Sequence, residues 1–348
     1  NCVRDNIFMK IILFTDNLGA GGAQRQLVGL ASMLKKKKYD VKVIYYQNSS
    51  FYEDYLIKNN VPYKLIPNAI KPINRIYYVS RCLKQESPDY VIAYQETPSL
   101  VACIAKILGG KFKLIVSERS TTQKLSYKDR IRFFLYRWAN HIVPNSYSQS
   151  DFISTNYNNL SKKISVISNF VDLTTYKPNF QKRREVPYIL IVSSIWPPKN
   201  VKRLLQSIAL LKDRECKFKI KWFGIVNNTS ESNKKYLEEC LSMIIDLHIE
   251  DFISFYDKTP NIVKEYLSAD YFCLPSLYEG TPNVICEAMS SGLPIICSNV
   301  CDNSIYVKDN KNGYLFNPLD IEDIANKIEF ALKINKDEYL LLCKQSRI

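Results

Sequence analysis

The chain has 348 residues, of which 46% are hydrophobic and 24% are charged. This length exceeds what one hydrophobic core usually serves, so an ordinary globular protein of two domains is expected. No run of about 20 apolar residues occurs, so no membrane-spanning helix is predicted. A strand-like run begins at Met9, and residues 1–8 are expected to be an upstream extension.

The net charge of +14 is confined to one half of the chain. Residues 1–180 hold 26 Lys and Arg against 12 Asp and Glu, whereas residues 181–348 hold 22 of each. This asymmetry predicts an N-terminal domain that faces something anionic, such as a membrane, a nucleic acid or an acidic substrate. A solvated basic surface without a partner is the alternative.

Ten cysteines and two histidines give little support for a metal site or a Cys–His nucleophile pair. The cysteines form no Cys-x-x-Cys pair, and several lie in apolar strings. That distribution is typical of buried, reduced thiols in a cytosolic protein. No metal-ligand set is predicted.

Short apolar runs alternate with segments of helical spacing through the first half of the chain. The alternation predicts βαβ units, in which helices cover both faces of a parallel sheet. Strands are predicted at Lys10–Thr15, Val41–Tyr46, Tyr90–Tyr94, Lys113–Ser117 and His141–Pro144, and helices at Ala23–Lys37, Asn74–Glu86, Ser99–Gly109 and Tyr127–Asn140.

The alternation restarts after residues 177–187, a stretch with two prolines and four basic residues that is typical of a linker. Two doubly wound domains are therefore predicted, residues 1–178 and 179–348, with ligands at the carboxyl ends of their strands. The second domain is predicted to hold strands at Tyr188–Ser194, Lys219–Phe223, Ile253–Tyr256, Tyr271–Pro275 and Pro294–Ser298, and helices at Val201–Leu211, Glu231–Leu247, Asn261–Ser268, Pro282–Ser291 and Ile321–Ile334.

Two strand-to-helix turns carry residue types suited to phosphate. After the first strand, Gly19, Gly21 and Gly22 form a turn that lets backbone amides approach an anion at a helix start, although a plain tight turn would have the same composition. After the strand that opens the second domain, Lys199 is placed to meet a diphosphate, with an ordinary surface lysine as the alternative.

A third turn lies within SLYEGTPNVICEAMSSG, residues 276–292. It places Glu279 in a loop and Glu287 on the following helix, a spacing unlike that of paired metal ligands at i and i+4. Amide groups of the first helical turn, around Asn283 to Ile285, are predicted to be free for a phosphate. A helix-start acid at Glu279 and a surface or buried ion pair at Glu287 are the purely structural alternative.

Six segments, in order, resemble the retaining glycosyltransferases of the GT-B class that form glycosyltransferase family 4, which includes bacterial capsule and lipopolysaccharide enzymes. EGTPNVICEAMSSGLPIICS resembles the E-x7-E signature, and NLGAGGAQRQL resembles the N-terminal glycine loop. The other segments are IVSERS, VPNSYSQSDFI, ISNFVDLTTYKP and NGYLFNPLDIEDIANKI. The resemblance implies two Rossmann-like domains facing a central cleft, with the acceptor side at residues 1–178 and the nucleotide-sugar side at 179–348.

The resemblance also implies a role for each matching residue. Glu287 should accept hydrogen bonds from ribose hydroxyls, Glu279 should hold hydroxyls of the transferred sugar, and Lys199 should neutralise the leaving diphosphate. Because lysine and helix dipoles would stabilise that charge, neither a metal nor a cofactor is expected. Backbone contacts to the donor are implied for Gly21, Gly22, Gly280, Asn283, Val284 and Ile285.

Three departures from the family pattern change the expected details. Ser193-Ser194 stands where relatives often have Gly-Arg, so a second phosphate cation is expected from Arg203 or Arg119. Arg119 also stands where many relatives have a histidine, so the role of that histidine does not transfer. Residues 222–225, Trp-Phe-Gly-Ile, replace a Gly-x-Gly, which is expected to alter the base pocket.

The segment KLSYKDRIRFFLYRW, residues 124–138, interleaves basic and aromatic residues. Such a helix is typical of a membrane interface, and a half-buried domain helix with a solvated basic face is the alternative. Together with the basic first half, it predicts a cytoplasmic protein attached to the anionic inner face of the membrane. The basic residues are Lys124, Lys128, Arg130, Arg132 and Arg137, and the apolar ones are Phe133, Phe134, Leu135, Tyr136 and Trp138.

The predicted function is transfer of a sugar from a nucleotide-sugar, expected to be a UDP-sugar, to a lipid-linked or surface-polysaccharide acceptor. A UDP-sugar epimerase on the same fold is one alternative, but it would need acid and base residues that two histidines and no clear carboxylate cluster do not provide. A nucleic-acid-binding protein is the other, but no helix-turn-helix, RRM or zinc pattern is present, so nucleic acid is not an expected partner.

Overall fold

The computed structural model describes residues 9–120, 122, 125–178, 180, 183–225, 230–259 and 261–347. The expected extension at residues 1–8 lies outside the described residues, as does Lys124. The chain divides into two compact units, one ending at Asn169 and the other beginning at Phe170. This boundary lies earlier in the chain than the predicted one between residues 178 and 179.

In the part of the chain that the structure describes, the first unit is built on a six-stranded parallel sheet with strand order β3-β2-β1-β4-β5-β6. Its strands are β1 (Lys10–Phe14), β2 (Asp40–Tyr45), β3 (Tyr63–Leu65), β4 (Tyr90–Tyr94), β5 (Lys113–Glu118) and β6 (His141–Pro144). Its helices are α1 (Gly22–Lys36), α2 (Glu53–Lys58), α3 (Pro72–Glu86), α4 (Glu96–Ile107), α5 (Tyr127–Leu135) and α6 (Tyr147–Asn156).

Two hydrophobic clusters cover the two faces of this sheet. Leu13 of β1 packs in one cluster with residues of α1 and α2, such as Leu27 and Leu56. Its neighbours Ile12 and Phe14 pack in the other cluster, with residues of α3, α4 and α5. Successive side chains of a strand point to opposite faces, so a strand buried on both sides reads as a continuous apolar run.

Over its described residues, the second unit has a parallel sheet with strand order β12-β11-β10-β7-β8-β9. Its strands are β7 (Tyr188–Val192), β8 (Lys219–Ile225), β9 (Ile253–Asp257), β10 (Tyr271–Leu274), β11 (Ile295–Ser298) and β12 (Gly313–Phe316). Its helices are α7 (Val201–Asp213), α8 (Glu231–Asp246), α9 (Ile262–Ser268), α10 (Asn283–Ser290), α11 (Asn303–Tyr306), α12 (Ile321–Lys333) and α13 (Lys336–Arg347).

Every predicted strand is present, with ends that differ by a residue or two. The helix predicted over Tyr127–Asn140 is shorter than expected, because α5 ends at Leu135 and a 3-10 turn follows at Tyr136–Trp138. No helix within the described ranges is both long and apolar enough to cross a membrane. Elements of the described structure that were not predicted are β3, β12, α2, α6, α11 and α13.

The predicted linker is anchored to the second unit rather than suspended between the two. Just before the predicted linker, the ring of Tyr176 lies 5.6 Å from that of Tyr266, in an edge contact. Arg183 donates hydrogen bonds to the Tyr271 hydroxyl at 3.0 Å and to the carbonyl of Ile334 at 2.9 Å. These contacts explain why the compact second unit begins before the predicted boundary.

The interior of the first unit holds a charged group that was expected on the surface. Arg132 of α5, predicted to belong to a basic membrane-facing side, is buried, and that expectation is wrong. Its guanidinium lies 3.5 Å from the carboxylate of Glu118, at the end of β5, and 2.9 Å from that of Glu96. Tyr136 donates a hydrogen bond to Glu118, and Gln149 donates another at 3.3 Å. The network fixes α5 to the carboxyl end of β5.

Replacing Arg132 by methionine is expected to lower the free energy of unfolding by about 3–5 kcal/mol, because the buried Glu118 loses its cation. Burial already raises the pKa of Glu118 above its ordinary value of 4.5, against the opposing effects of Arg132 and Tyr136. A carboxyl with a raised pKa binds its proton more tightly in the folded state than in the unfolded state. Its contribution to stability is therefore lost as pH rises from the ordinary pKa through the raised one. The variant should therefore lose more stability at neutral pH than near pH 4.5. Urea denaturation at both pH values tests this, with Arg130→Met on the exposed side of α5 as the control; equal losses for both variants would contradict it.

Candidate functional site

The carboxyl ends of β7 and β10 form the point in the second unit where the strand order reverses. In open parallel sheets, ligands bind in the crevice at such a point. The loop after β7 carries Lys199, and the loop after β10 carries Glu279. Both residues were predicted for a ligand site, and the pairing of β7 with β10 brings their loops side by side.

Lys199 and Glu279 form a close ion pair. The Lys199 ammonium donates to Oε1 of Glu279 at 2.5 Å, and their side chains are only 17% and 13% exposed. Ser276, which is buried, donates from its hydroxyl to the same oxygen at 2.6 Å. A cation and a carboxylate therefore lie together, largely screened from water, at the carboxyl ends of β7 and β10.

Local backbone geometry sets the position of Lys199. Pro197 and Pro198 begin a 3-10 turn that ends at Lys199, and Asn200 adopts a left-handed conformation with φ of 59°. The side-chain amide of Asn200 donates to the carbonyl of Pro318 at 2.7 Å, which ties this turn to the segment after β12. The amide of Leu277 donates to the Pro198 carbonyl at 2.9 Å and ties the two loops together.

Arg203, one of two candidates for a second phosphate cation, lies in the first turn of α7. Its guanidinium donates to the side chain of Asn200 at 3.1 Å, so it is held beside the Lys199 turn. The other candidate, Arg119, belongs to the first unit. Of the two candidates, Arg203 is thus the one that the second unit places near Lys199.

Helix α10 carries the remaining predicted residues of the second unit. Pro282 precedes its first residue, Asn283, and Glu287 is buried on its next turn. The expectation that the Ile285 amide is free is wrong, because it donates to the Pro282 carbonyl at 3.1 Å. Asn283 and Val284 occupy the first two positions of α10, at the helix end that favours negative charge. Gly280 lies in the loop just before, partly exposed.

A cavity of about 330 Å³ lies beside this site, at the ends of β7 and β8. Ser194, Trp196, Gly224 and Asn233 contribute to its lining. A Cβ atom at Gly224 would lie 1.8 Å from the Ser193 carbonyl oxygen, so only glycine fits there. Ser194 and Gly224, which belong to the two segments that depart from the family pattern, thus line the same pocket.

In the first unit, the glycine turn leads directly into α1. Gly21 is the N-cap residue with φ of −123°, and Gly22 is the first helical residue. A Cβ at Gly21 would lie 2.2 Å from the Gln24 side-chain oxygen. Gln24 donates to Asp16 at 3.2 Å and to Gln95 at 3.4 Å, so the glycine gives room to a polar network at the strand ends.

A polar cavity of about 260 Å³ lies at the carboxyl ends of β1, β4 and β5, again where the strand order reverses. Its lining includes Asp16, Gln95, Glu96, Arg119 and Ser120. We call it the first-unit cavity. The backbone of Gln95 has φ of 74° and ψ of 172°, a region that residues other than glycine rarely adopt. Strained backbone of this kind costs about 1–3 kcal/mol and clusters at binding sites.

Arg119 is oriented by stacking in the first-unit cavity. Its guanidinium lies 4.4 Å from the centre of the Tyr94 ring and donates to Asn169 at 3.0 Å. Burial lowers the pKa of Arg119, and Tyr94 acts in the opposite direction. Asp16 and Glu96 line the same cavity, and Glu96 is also paired with the buried Arg132 at 2.9 Å. The cavity therefore holds both carboxylates and a guanidinium.

Sequence reasoning missed four residues of these sites. Asp16 follows the first predicted strand, Gln95 and Glu96 follow another, and Ser276 follows the strand Tyr271–Pro275. The signal was present, because polar residues directly after predicted parallel strands lie at the ligand-binding edge.

Both halves of the chain match models of known protein families. Residues 20–175 match the model described as Glycosyltransferase Family 4, and residues 173–341 match the model described as Glycosyl transferases group 1. The two matches follow one another along the chain and together reach from residue 20 to residue 341.

Individual glycosyltransferases are also similar to this chain in sequence or in structure. A Campylobacter jejuni protein named a GalNAc-alpha-(1->4)-GalNAc-alpha-(1->3)-diNAcBac-PP-undecaprenol alpha-1,4-N-acetyl-D-galactosaminyltransferase is 26% identical over 348 residues, covering 93% of this chain and 89% of its own. A UDP-Gal:alpha-D-GlcNAc-diphosphoundecaprenol alpha-1,3-galactosyltransferase of Escherichia coli is 24% identical over 350 residues, covering 92% and 86%. The structure of Anabaena HepE in complex with UDP matches with a TM-score of 0.83 at 18% identity, over 97% of this chain and 94% of that one. The chain therefore belongs to the family 4 and group 1 glycosyltransferases and is an enzyme of the GT-B fold.

Proposed function

We propose that this glycosyltransferase moves a sugar from a UDP-sugar to a lipid-linked saccharide, with retention of configuration at the anomeric carbon. The observation that carries the proposal is the shielded Lys199–Glu279 pair beside the start of α10. This arrangement offers a cation for a diphosphate and a carboxylate for sugar hydroxyls within one site.

The donor would extend along the second unit, from the Glu279 loop to the cavity at the ends of β7 and β8. Lys199 and the amides that begin α10 would bind the diphosphate, because a helix start and an ammonium both favour negative charge. Glu287 would accept hydrogen bonds from the ribose hydroxyls. The cavity lined by Ser194 and Trp196 would take the nucleobase.

In the proposed transfer step, the bond between the anomeric carbon and the phosphate oxygen breaks, and its electron pair leaves with the diphosphate. The acceptor hydroxyl oxygen bonds to the same face of that carbon and gives its proton to an oxygen of the departing diphosphate. Negative charge grows on the departing diphosphate as the bond breaks. Preorganised donors aimed at that charge lower the barrier, and we propose that Lys199 and Arg203 act in this way. We propose that these groups suffice and that no metal is required.

Two features support a lipid-linked acceptor. The curated relatives from Campylobacter jejuni and Escherichia coli carry names with an undecaprenol diphosphate-linked acceptor. The basic excess of residues 1–180 suits an anionic membrane surface, so we propose a peripheral enzyme at the cytoplasmic face. The first-unit cavity, in which Asp16 and Glu96 face Arg119, would hold hydroxyls of the acceptor saccharide.

A donor screen tests this proposal. The purified protein is mixed with a panel of UDP- and GDP-sugars and a short undecaprenyl diphosphate saccharide, and nucleotide release is followed. We expect release with one UDP-sugar, unchanged by EDTA, and an anomeric proton in the product with the configuration of the donor. Exclusive use of a GDP-sugar would overturn the proposed donor, and inversion of that configuration would overturn the proposed retention. Loss of activity with EDTA would overturn the proposal that no metal is required. Conversion of the UDP-sugar without an acceptor would instead indicate an epimerase.

A further inference from the structure

Helix α3 presents apolar side chains to solvent in a way that neither the fold nor the donor site explains. Ile70 is 76% exposed, Ile73 is 82% exposed and Tyr77 is 57% exposed. Ile73 and Tyr77 lie one turn apart on α3, and Ile70 lies just before its first turn. We call these three residues the α3 surface. Large apolar side chains grouped on a surface mark interaction sites more often than scattered ones do.

The α3 surface is held in place rather than carried on a loose loop. The Arg75 guanidinium donates to the carbonyls of Ala69 at 3.0 Å and of Ile70 at 2.6 Å. It also lies 4.5 Å from the centre of the Tyr46 ring. Ala69 is fully buried beside the projecting Ile70. These contacts hold the backbone at the start of α3 in place, with Ile70 exposed to solvent.

The charged residues of the segment that carries the α3 surface, residues 69–85, are all basic. Lys71, Arg81 and Lys84 are exposed on the same segment, and Arg81 donates to the Tyr77 hydroxyl at 3.5 Å. Residues 69–85 contain no Asp or Glu. Apolar side chains rimmed by lysine and arginine match the boundary between acyl chains and anionic headgroups. Aliphatic isoleucines offer little to nucleic acid, which pairs its bases with aromatic or guanidinium planes.

The topology places the α3 surface at the ligand-binding edge of the first unit. A helix that connects parallel strands runs opposite to them, so its first turn lies near their carboxyl ends. The first turn of α3 therefore shares an edge of the sheet with the first-unit cavity. Helices α3, α4 and α5 also cover the same face of the sheet. Tyr127, which is highly exposed and begins α5, lies at that edge and on that face.

We propose that the α3 surface inserts among the headgroups of an anionic bilayer and brings the first-unit cavity to the membrane surface. For the nature of the acceptor this rests on the proposed function. It differs from the sequence-based expectation, which assigned membrane contact to α5, because Arg132 and Phe133 of α5, and Tyr136 of the turn that follows it, are buried. The isoleucines supply apolar depth, and the lysines and arginines beside them supply attraction to the surface.

Vesicle co-sedimentation of an Ile70→Ser/Ile73→Ser variant tests the proposal. The wild type should bind phosphatidylglycerol-containing vesicles, less at high salt, and bind phosphatidylcholine vesicles weakly. The double variant should lose about tenfold or more in partitioning, because two exposed aliphatic side chains no longer leave water. Ile57→Ser is the matched control, since Ile57 is 58% exposed on α2, across the sheet, and should bind as the wild type does.

Further measurements separate this proposal from the others. Unchanged binding of the double variant, or a loss seen only with Phe134→Ser/Trp138→Ser on and beside α5, would overturn it. Binding of the wild type to a polynucleotide that depends on Ile70 and Ile73 as strongly would also overturn it. Stabilisation by UDP and transfer to a water-soluble acceptor should stay unchanged in the double variant. If every UDP-sugar fails while vesicle binding still depends on these isoleucines, the proposed function falls and the α3 surface stands.

Discussion

Replacing Lys199 by alanine is expected to lower the rate constant of sugar transfer by about a hundredfold or more. Removing one preorganised donor from a site of developing negative charge has effects of this order in other enzymes. The change also leaves Glu279 with the Ser276 hydroxyl but without its cation in a shielded place. Single-turnover measurement of transfer, with saturating donor, isolates this step from donor binding.

Lys202→Ala provides the matched control. Lys202 lies in the first turn of α7, just after the turn that holds Lys199, and pairs with Glu239, but its side chain is 45% exposed and the pair is on the surface. Exposed pairs contribute little, so both the rate and the melting temperature should stay near wild type. A Lys199→Ala protein that keeps full activity would refute the role proposed for this lysine, whereas one that no longer melts cooperatively would call for Lys199→Met as the test.

Replacing Glu287 by alanine is expected to abolish measurable transfer and most of the thermal stabilisation by UDP. Hydrogen bonds to a charged group contribute about 1.5–3 kcal/mol each, and the ribose would lose a carboxylate that can accept two. Glu287→Gln keeps the size of the side chain and removes only its charge. Its affinity for UDP should therefore fall about tenfold or more, with a melting temperature close to wild type.

Calorimetric titration with UDP separates binding from folding in these variants. Glu231→Gln is the control, because Glu231 is a highly exposed glutamate on α8 and should leave the affinity for UDP unchanged. An unchanged affinity in Glu287→Ala would remove Glu287 from the donor site. A fall in melting temperature of the ligand-free protein without a change in affinity would assign Glu287 a purely structural part.

The strands were predictable because local sequence decides them. Buried on both faces, β1 and β10 read as short continuous apolar runs, and their length and flanking polar residues favour a strand over a helix. The missed strand β3 has only three residues, one of them a lysine, and most of it is exposed at the edge of the sheet. Helix α13 was missed although its buried Tyr339, Leu342 and Cys343 follow helical spacing, because polar residues interrupt the pattern.

The site was predictable as a set of residues but not as a set of contacts. Lys199 and Glu279 are eighty positions apart, and their ion pair depends on β7 lying beside β10. The burial of Arg132 depends likewise on Glu118, at the end of another strand. Local sequence predicts neither contact. For Arg132 it even favours the opposite, because a basic residue on an amphipathic helix usually faces water.

The Lys199–Glu279 pair has a consequence for which ligands the enzyme ignores. Free inorganic phosphate could take the lysine only by leaving Glu279 shielded and without a countercharge, so the exchange gains little. A nucleotide-sugar, under the proposed function, replaces both partners at once, offering phosphate oxygens to the ammonium and hydroxyl donors to the carboxylate. Under the proposed function, the closed pair would therefore favour a ligand that carries sugar and diphosphate together over simpler anions.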